Sequence, residues 1–225
     1  MQTTEFTDPK ALEVRRHFES SAKDFDAIYS GDKSPAFRWL DHILRKDMFQ
    51  RRDETIYEIK KMGAATILDI GCGSGAISTA LAREGAKAVC GVDFSLPMIE
   101  LARNRAEHEG VSSQCTFIVG DFGLLKFPER FQCSIAIGLF DYLAEPQMFL
   151  REMQNVTKEK IIATFPCRWT YRAPIRKARL ALKGCPVYFY ALSDIKRLFR
   201  PLEPSRLKIR KLGHIFFVVA EFVKD

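Results

Sequence analysis

The feature that most constrains the fold is an alternation of short apolar runs with helix-like segments after Gly63. This alternation is typical of a parallel sheet that is covered by helices on both faces. The last two runs, SRLKIRKLG and HIFFVVAEFV, are separated only by a Gly-His junction, which is too short for a parallel crossover and predicts an antiparallel hairpin. We therefore expect an α/β fold with a seven-stranded, mostly parallel sheet and a reversed terminal strand. The other runs are ATILDI, AKAVCGVDF, CTFIVGD, CSIAIGLF and KIIATFP.

Residues 1–62 read as helices instead. Asp8-Pro9 starts an apolar stripe with spacings of three and four residues. A second helix is predicted from Ser34-Pro35 to Met62-Gly63, with the charges of QRRDE away from its apolar side. We expect an N-terminal helical cap over residues 1–62 and a main domain over residues 63–225, with a basic insertion at about 167–190. The stripe consists of Val14, Phe18, Ala22, Phe25 and Tyr29.

Helical or connecting segments are predicted between the runs and after the insertion. They are 75–83, 96–109 behind the cap-like Ser95, the looser 122–130, and 193–199.

Composition limits the classes of protein that remain. The 225 residues, of which 47% are hydrophobic, suffice for one well-buried core. The N-terminus has neither a basic start nor an apolar core, and no apolar run approaches the length that spans a membrane. The six cysteines are scattered, with no C-x-x-C pair and no histidine cluster nearby, so we predict no metal site and a reducing, cytoplasmic location.

The stretch TILDIGCGSGAIS places three glycines within five residues, directly after the first apolar run. Gly71, Gly73 and Gly75 fit the G-x-G-x-G loop of enzymes that use S-adenosylmethionine. Gly71, Gly73 and Ala76 fit the dinucleotide fingerprint G-x-G-x-x-G/A equally well. In both cases the glycines let a ligand approach the backbone, so their spacing alone leaves both ligands open.

Three acids at strand ends separate these alternatives. Asp69 precedes the loop, while Asp93 and Asp121 end the second and third runs, so all three should lie at the carboxyl edge of the sheet. A dinucleotide site accounts for Asp93 as the acid that binds ribose hydroxyls, but it explains the other two poorly. A sulfonium ligand with an amino group, a ribose diol and an adenine amine suits three carboxylates better.

The segments ILDIGCGSG, GVDFSLPMIELAR and VGDF resemble the consecutive cofactor motifs of class I S-adenosylmethionine-dependent methyltransferases. The resemblance implies a Rossmann-like fold and S-adenosyl-L-methionine as the cofactor. It implies that Asp69 and the three loop glycines border the methionine moiety, that Asp93 holds the ribose hydroxyls, and that Met98 and Asp121 contact the adenine. The other cofactor contacts that it implies are Phe94, Phe122 and Leu139.

The acceptor should meet the donor methyl group at the end of the fourth run, in GLFDYLAEP. This segment lacks the Asn/Asp-Pro-Pro-aromatic motif of methyltransferases that act on nucleobase amino groups. Many similar small-molecule methyltransferases have a histidine near this point, where this chain has Tyr142, so the general base is not identified. Asp141 is the first candidate for positioning the acceptor or removing its proton, with a cap on the following turn as the alternative. Phe140 is predicted to line the acceptor pocket.

The N-terminal stretch FDAIYSG loosely resembles magnesium-protoporphyrin and ubiquinone-type O-methyltransferases, in which such a segment covers the cofactor. The resemblance implies a site role for Tyr29, with core packing as the alternative. It also favours methylation on oxygen.

Positive charge is concentrated near the C-terminus, where residues 168–211 contain 13 Lys and Arg against two acids. Aromatic rings are interleaved with the cations of residues 168–190, a pattern that suits a carboxylated or phosphorylated molecule, RNA or an anionic membrane face; a solvated helix face is the alternative. RNA would ordinarily come with a recognition module, and no such signature is present. We therefore expect a small or lipid-like anionic acceptor, with peripheral membrane contact as an additional role. The predicted acceptor contacts are Trp169, Arg172, Arg176 and Tyr190.

Two other functions stay open at this point. One is a module that binds the cofactor or a membrane without turnover, and the other is an NAD-type Rossmann enzyme. The sequence predicts no oligomeric state.

Overall fold

The computed structural model describes residues 35–170 and 186–223, with side chains from Met48 onward in the first range. The predicted N-terminal stripe and the predicted site residues Tyr29, Arg172 and Arg176 lie outside the described residues. Their roles stay predictions.

Seven strands form one sheet, and in the described chain they are β1 (Thr66–Ile70), β2 (Ala88–Asp93), β3 (Cys115–Val119), β4 (Phe131–Ala136), β5 (Thr157–Pro166), β6 (Arg206–Leu212) and β7 (Ile215–Glu221). Their spatial order is β3-β2-β1-β4-β5-β7-β6. Strands β1 to β5 pair in parallel, whereas β7 is antiparallel to both β5 and β6. The structure thus confirms the predicted sheet, its reversed terminal strand and the β6–β7 hairpin.

The described helices are α1 (Pro35–Lys60), α2 (Ala76–Arg83), α3 (Leu96–His108), α4 (Pro146–Asn155) and α5 (Leu192–Phe199). The sequence predicted all of them except α4, and the connection predicted over 122–130 contains only a 3-10 turn, Phe122–Leu124. A signal for α4 exists, because Pro146 starts its first turn and Leu150 and Met153 are its buried residues. None of these described helices is long and apolar enough to cross a membrane.

Helices cover the sheet on both faces. Ile59 of α1, Leu81 of α2 and Ile99 of α3 belong to one buried cluster, and Leu150 of α4 and Ile195 of α5 belong to the other. Burial on both faces explains why the central strands read as continuous apolar runs rather than as alternating ones. The carboxyl ends of β1, β2 and β4 therefore meet at one edge, which is where open α/β sheets bind ligands.

Candidate active site

The glycine loop follows β1 and is held against the end of β2. The N–H groups of Gly71 and Cys72 both donate to the carbonyl of Val92, at 2.8 and 3.1 Å. The backbone has a positive φ at Gly71, Gly73 and Gly75. Because L side chains rarely adopt this conformation, glycine at these positions lets the chain turn sharply from the strand into α2.

Two of these glycines serve different purposes. A Cβ on Gly75 would lie 2.8 Å from the Cβ of Ala102 in α3, so this glycine permits close packing of the loop on a helix. A Cβ on Gly73 would have no heavy atom within 4 Å, so the space above this residue is open. One side of the loop therefore packs on α3 at Gly75, and the other side is open above Gly73. We call this loop, residues 71–75, the cradle, because its open side leaves room for a ligand.

Asp93, the last residue of β2, is bonded to this loop. Its Oδ2 accepts from Gly73 N at 3.0 Å and its Oδ1 accepts from Ser95 N at 2.9 Å. Burial raises the pKa of Asp93, while these two N–H donors oppose the rise. Ser95 stands at the N-cap of α3 as predicted, but its hydroxyl makes no capping bond and is buried without a hydrogen-bond partner.

Asp69 lies on the packed side of the cradle. Its side chain is turned toward α2, where its Oδ2 accepts from the Ser78 hydroxyl at 2.6 Å, and the residue is only 2% exposed. This carboxyl is therefore buried against α2, and its predicted border with the methionine moiety stays a prediction. Burial raises the pKa of Asp69 to about 7; the Ser78 hydrogen bond opposes the rise, and the charge of Asp93 adds to it.

The buried carboxyl of Asp69 should make stability depend on pH. Between its ordinary pKa of 3.8 and about 7, the folded state holds a proton that the unfolded state has released. The free energy of unfolding should therefore fall as the pH rises through this window, by at most about 1.4 kcal/mol per pH unit from this group, and then level off. Urea denaturation of the wild type and of Asp69→Asn from pH 5 to pH 8 measures the difference. Parallel pH profiles of the two proteins would contradict this assignment.

The residues predicted at the adenine end cluster after β2 and β3. Asp121 is half-buried, and its Oδ1 accepts from Gly123 N at 3.0 Å. Met98 and Phe122 are 3% and 6% exposed, and the Phe122 ring packs 5.2 Å from that of Phe149. Those two apolar side chains therefore pack into the core, and their contacts with the adenine stay predictions. Phe94 is half-buried.

Leu139 lies over the loop from the β4 side. Its Cδ1 is 3.1 Å from the position that a Cβ on Gly71 would take. The side chain is half-buried, and its role as a wall of the cofactor site stays a prediction.

Two of the predicted acceptor contacts are buried, and their roles stay predictions. Phe140 is fully buried, with its ring 4.4 Å from that of Phe165, and Tyr190 is 7% exposed and donates its hydroxyl to the Phe140 carbonyl at 3.1 Å. Both rings therefore contribute to the core. Trp169 is the opposite case, since it is 82% exposed beyond the end of β5.

Asp141 and Tyr142 follow β4 at the same edge. Asp141 is 5% exposed, and its carbonyl accepts from Tyr188 N at 2.8 Å. Tyr142 is half-buried, and its N–H donates to the Leu139 carbonyl at 3.0 Å. The two residues thus lie next to Leu139 in the chain, and their catalytic roles stay predictions.

The sequence interpretation missed Arg51, a residue of α1. Its guanidinium lies against the chain at the end of β4, because a Cβ on Gly138 would be only 2.7 Å from Arg51 Nη1. Arg51 Nε is buried and has no hydrogen-bond partner. Gly138 precedes Leu139, the residue that lies over the loop, so a cation of the cap helix lies one residue away from Leu139. Its charge was attributed to the solvated side of that helix, and only the placement of α1 across the sheet reveals the contact.

Comparison with known proteins shows similarity to methyltransferases. Residues 67–160 match the family described as "Methyltransferase domain". Over 94 residues the chain is 35% identical to a ubiquinone biosynthesis O-methyltransferase of Coxiella burnetii, an overlap of 41% of this chain and 38% of that protein. It is 27% identical over 141 residues to ajmaline N-methyltransferase of Rauvolfia serpentina, an overlap of 62% of this chain and 46% of the relative. The chain thus spans less than half the length of these curated relatives.

The fold as a whole is also found in solved structures. The crystal structure of magnesium protoporphyrin IX methyltransferase from Synechocystis PCC 6803 with bound SAH superposes with a TM-score of 0.77 at 20% identity, and the match covers 95% of this chain and all of that one. Residues 67–160 thus match a methyltransferase domain, and the fold of the chain is that of a solved methyltransferase. Both findings agree with the class predicted from the sequence, for which S-adenosyl-L-methionine is the methyl donor.

Proposed function

We propose that this protein transfers the methyl group of S-adenosyl-L-methionine to an oxygen atom of a small or lipid-like anionic acceptor. The observation that carries the proposal is the cradle itself, in which the bare side of Gly73 lies beside the carboxylate of Asp93. The acceptor class rests on the cations of residues 168–183 and on the position of the chain ends that flank them.

The residues present fit the donor. Asp93 keeps lone pairs beyond those used by Gly73 and Ser95, so it can accept from ribose hydroxyls. The buried and unbonded Nε of Arg51 makes its guanidinium a suitable partner for the methionine carboxylate. Asp121 stands at the end of β3, where it can accept from the adenine amine. When bound, S-adenosylmethionine supplies a methyl group on a cationic sulfur, which an acceptor removes by in-line displacement.

A dinucleotide fits the same loop less well. The N–H of Gly73 already donates to the Asp93 carboxylate. A pyrophosphate would need such N–H groups for itself and would be repelled by this carboxylate. A carboxylate at this position favours the sulfonium donor instead.

The position of the basic insertion in the fold favours a role in acceptor binding. The segment leaves the sheet after β5, where Arg168 N donates to the Tyr190 carbonyl at 2.8 Å. It returns beside Asp141, whose carbonyl accepts from Tyr188 N at the same distance. The described residues that flank 171–185 thus lie next to the predicted acceptor residue Asp141, which supports a role of the cations of this segment in acceptor binding.

The acceptor must be positioned, and it must lose a proton if it begins as an alcohol or phenol. Asp141 is the carboxylate nearest along the chain to Leu139, the predicted wall of the cofactor site. We therefore assign Asp141 as the base that takes the proton of the acceptor. Tyr142 follows it and would orient the acceptor oxygen.

Methyl transfer from tritiated S-adenosylmethionine into fractionated cell extract tests the proposal. Label should enter the acidic small-molecule or lipid fraction with the wild type and should be absent with Asp93→Ala. Mass spectrometry of the labelled fraction then identifies the acceptor and the methylated atom. Label that enters RNA preferentially would contradict the acceptor class, and donor binding without any transfer would favour a non-catalytic module.

Charge reversal in the insertion should weaken acceptor use selectively. The double variant Arg172→Glu/Arg176→Glu should lower methyl transfer into the acidic fraction at least about tenfold, because each hydrogen bond to a charged group contributes about 1.5–3 kcal/mol. The KM for S-adenosylmethionine should not change. Arg151→Glu/Lys158→Glu carries the same change of charge at two exposed positions and is the matched control. Equal rates for both double variants would remove the insertion from acceptor binding.

A further inference from the structure

Helix α1 presents one face to the sheet along its last turns. Arg51, Glu54 and Glu58 are spaced by three and four residues, so they lie on the same side of the helix. Thr55, which is fully buried on this side, donates its hydroxyl to the Arg51 carbonyl at 2.7 Å. The face that carries Arg51 toward Gly138 is therefore the face that packs on the sheet.

The first attachment of this face is to the edge strand β6. Arg210 forms a bidentate salt bridge with Glu54, in which Nη1 donates to Oε1 at 3.3 Å and Nη2 donates to Oε2. Its Nη2 also lies 3.8 Å from Glu58 Oε1. A planar, bidentate salt bridge of this kind fixes the relative orientation of its two partners as well as their distance.

The second attachment is to β5. Lys160 Nζ lies 3.4 Å from the Glu58 carbonyl oxygen and 3.9 Å from Glu58 Oε2, and both residues are buried. Burial alone would raise the pKa of Glu58, but Lys61, Lys160 and Lys208 together hold it below its ordinary value. The carboxylate therefore stays charged and keeps this end of the helix on the sheet.

We infer that Arg210, through Glu54, is a positioning residue that sets the place of Arg51 at the donor site. The inference rests on the proposed function, because it takes the methionine carboxylate as the anion that Arg51 binds. Glu54 is one turn from Arg51, and the guanidinium fits against Gly138 within the space of a missing Cβ. A small rotation of α1 would therefore withdraw the cation from Gly138 and from the neighbouring Leu139. Arg210 belongs to the edge strand β6 and acts on donor binding through Glu54 and Arg51, without touching the donor.

Calorimetric titration with two ligands tests this inference. S-adenosylhomocysteine carries the carboxylate, whereas 5′-methylthioadenosine has the same adenosine and sulfur without it. Arg51→Gln should lower the affinity for S-adenosylhomocysteine about tenfold and leave that for 5′-methylthioadenosine unchanged. Arg210→Gln should give the same selective loss, about three- to tenfold, and Arg210→Lys should recover part of it. Arg210 is preferred over Lys160 as the test site because it is more exposed, so its variants should fold.

Lys211→Gln is the matched control, since it removes the same charge from an exposed position next along β6. It should change neither affinity. The inference is overturned if Arg210→Gln weakens both ligands equally, which indicates general loss of structure, or if it weakens neither. It also fails if the wild type binds both ligands and Arg51→Gln changes nothing, while the proposed function then stands. A wild type that binds neither ligand overturns the proposed function itself.

Discussion

Replacing Asp93 with alanine should lower the affinity for S-adenosylhomocysteine about 100-fold. Two ribose hydroxyls that donate to one carboxylate contribute together about 3 kcal/mol, at about 1.5 kcal/mol for each charge-assisted bond. The variant also frees Gly73 N, which Asp93 holds at 3.0 Å, so the loop loses part of its support. Titration calorimetry of both proteins at one pH measures the change.

The control for this variant is Glu107→Ala, which removes one acid from an exposed position of α3. It should bind S-adenosylhomocysteine as the wild type does. If Asp93→Ala retained affinity within threefold while its melting temperature matched the wild type, the carboxylate would not be a ribose ligand. The donor site would then have to be sought elsewhere along the sheet edge.

Alanine at two loop glycines should affect different properties, mainly stability at Gly75 and mainly donor affinity at Gly73. Gly75→Ala places a Cβ 2.8 Å from Ala102 at a positive φ, so it should cost about 2–4 kcal/mol of stability and lower the melting temperature by roughly 5–15 °C. Gly73→Ala meets no atom within 4 Å, so it should cost only about 1–2 kcal/mol for its backbone conformation. Its methyl group would project into the open space above the loop and should lower donor affinity at least about tenfold.

Thermal melting and calorimetry of both glycine variants provide the comparison, and each variant is the control for the other. A stable Gly73→Ala protein with wild-type donor affinity would show that the open side of the loop does not face the donor. A Gly75→Ala protein as stable as the wild type would contradict the packing of the loop on α3.

The strands and the cofactor loop could be predicted because their signals are local. Apolar runs bounded by glycines and acids identify β1 to β5, and the spacing of Asp69, Asp93 and Asp121 places one acid in or directly after each of β1, β2 and β3. The carboxyl ends of parallel strands lie at the same edge of a sheet, so these acids come together without regard to how the side chains pack. The fold class followed from these patterns and from the short junction before β7.

The remaining features depend on packing, which a local pattern does not contain. Phe140 and Trp169 each follow a strand end, yet one is fully buried and the other 82% exposed. Asp69 turns toward Ser78 because this serine of α2 lies within hydrogen-bond reach. Arg51 reaches the site only because α1 crosses the sheet from β6 toward β4. Each outcome is set by residues far away in the chain.

The central claim is that the cradle after β1 binds a sulfonium donor rather than a dinucleotide. Titration of the wild-type protein with S-adenosylhomocysteine and with NADH in the same buffer tests it most directly. The account predicts saturable heat with S-adenosylhomocysteine, none with NADH, and loss of that heat in Asp93→Ala. Binding of NADH with no heat from S-adenosylhomocysteine would contradict it.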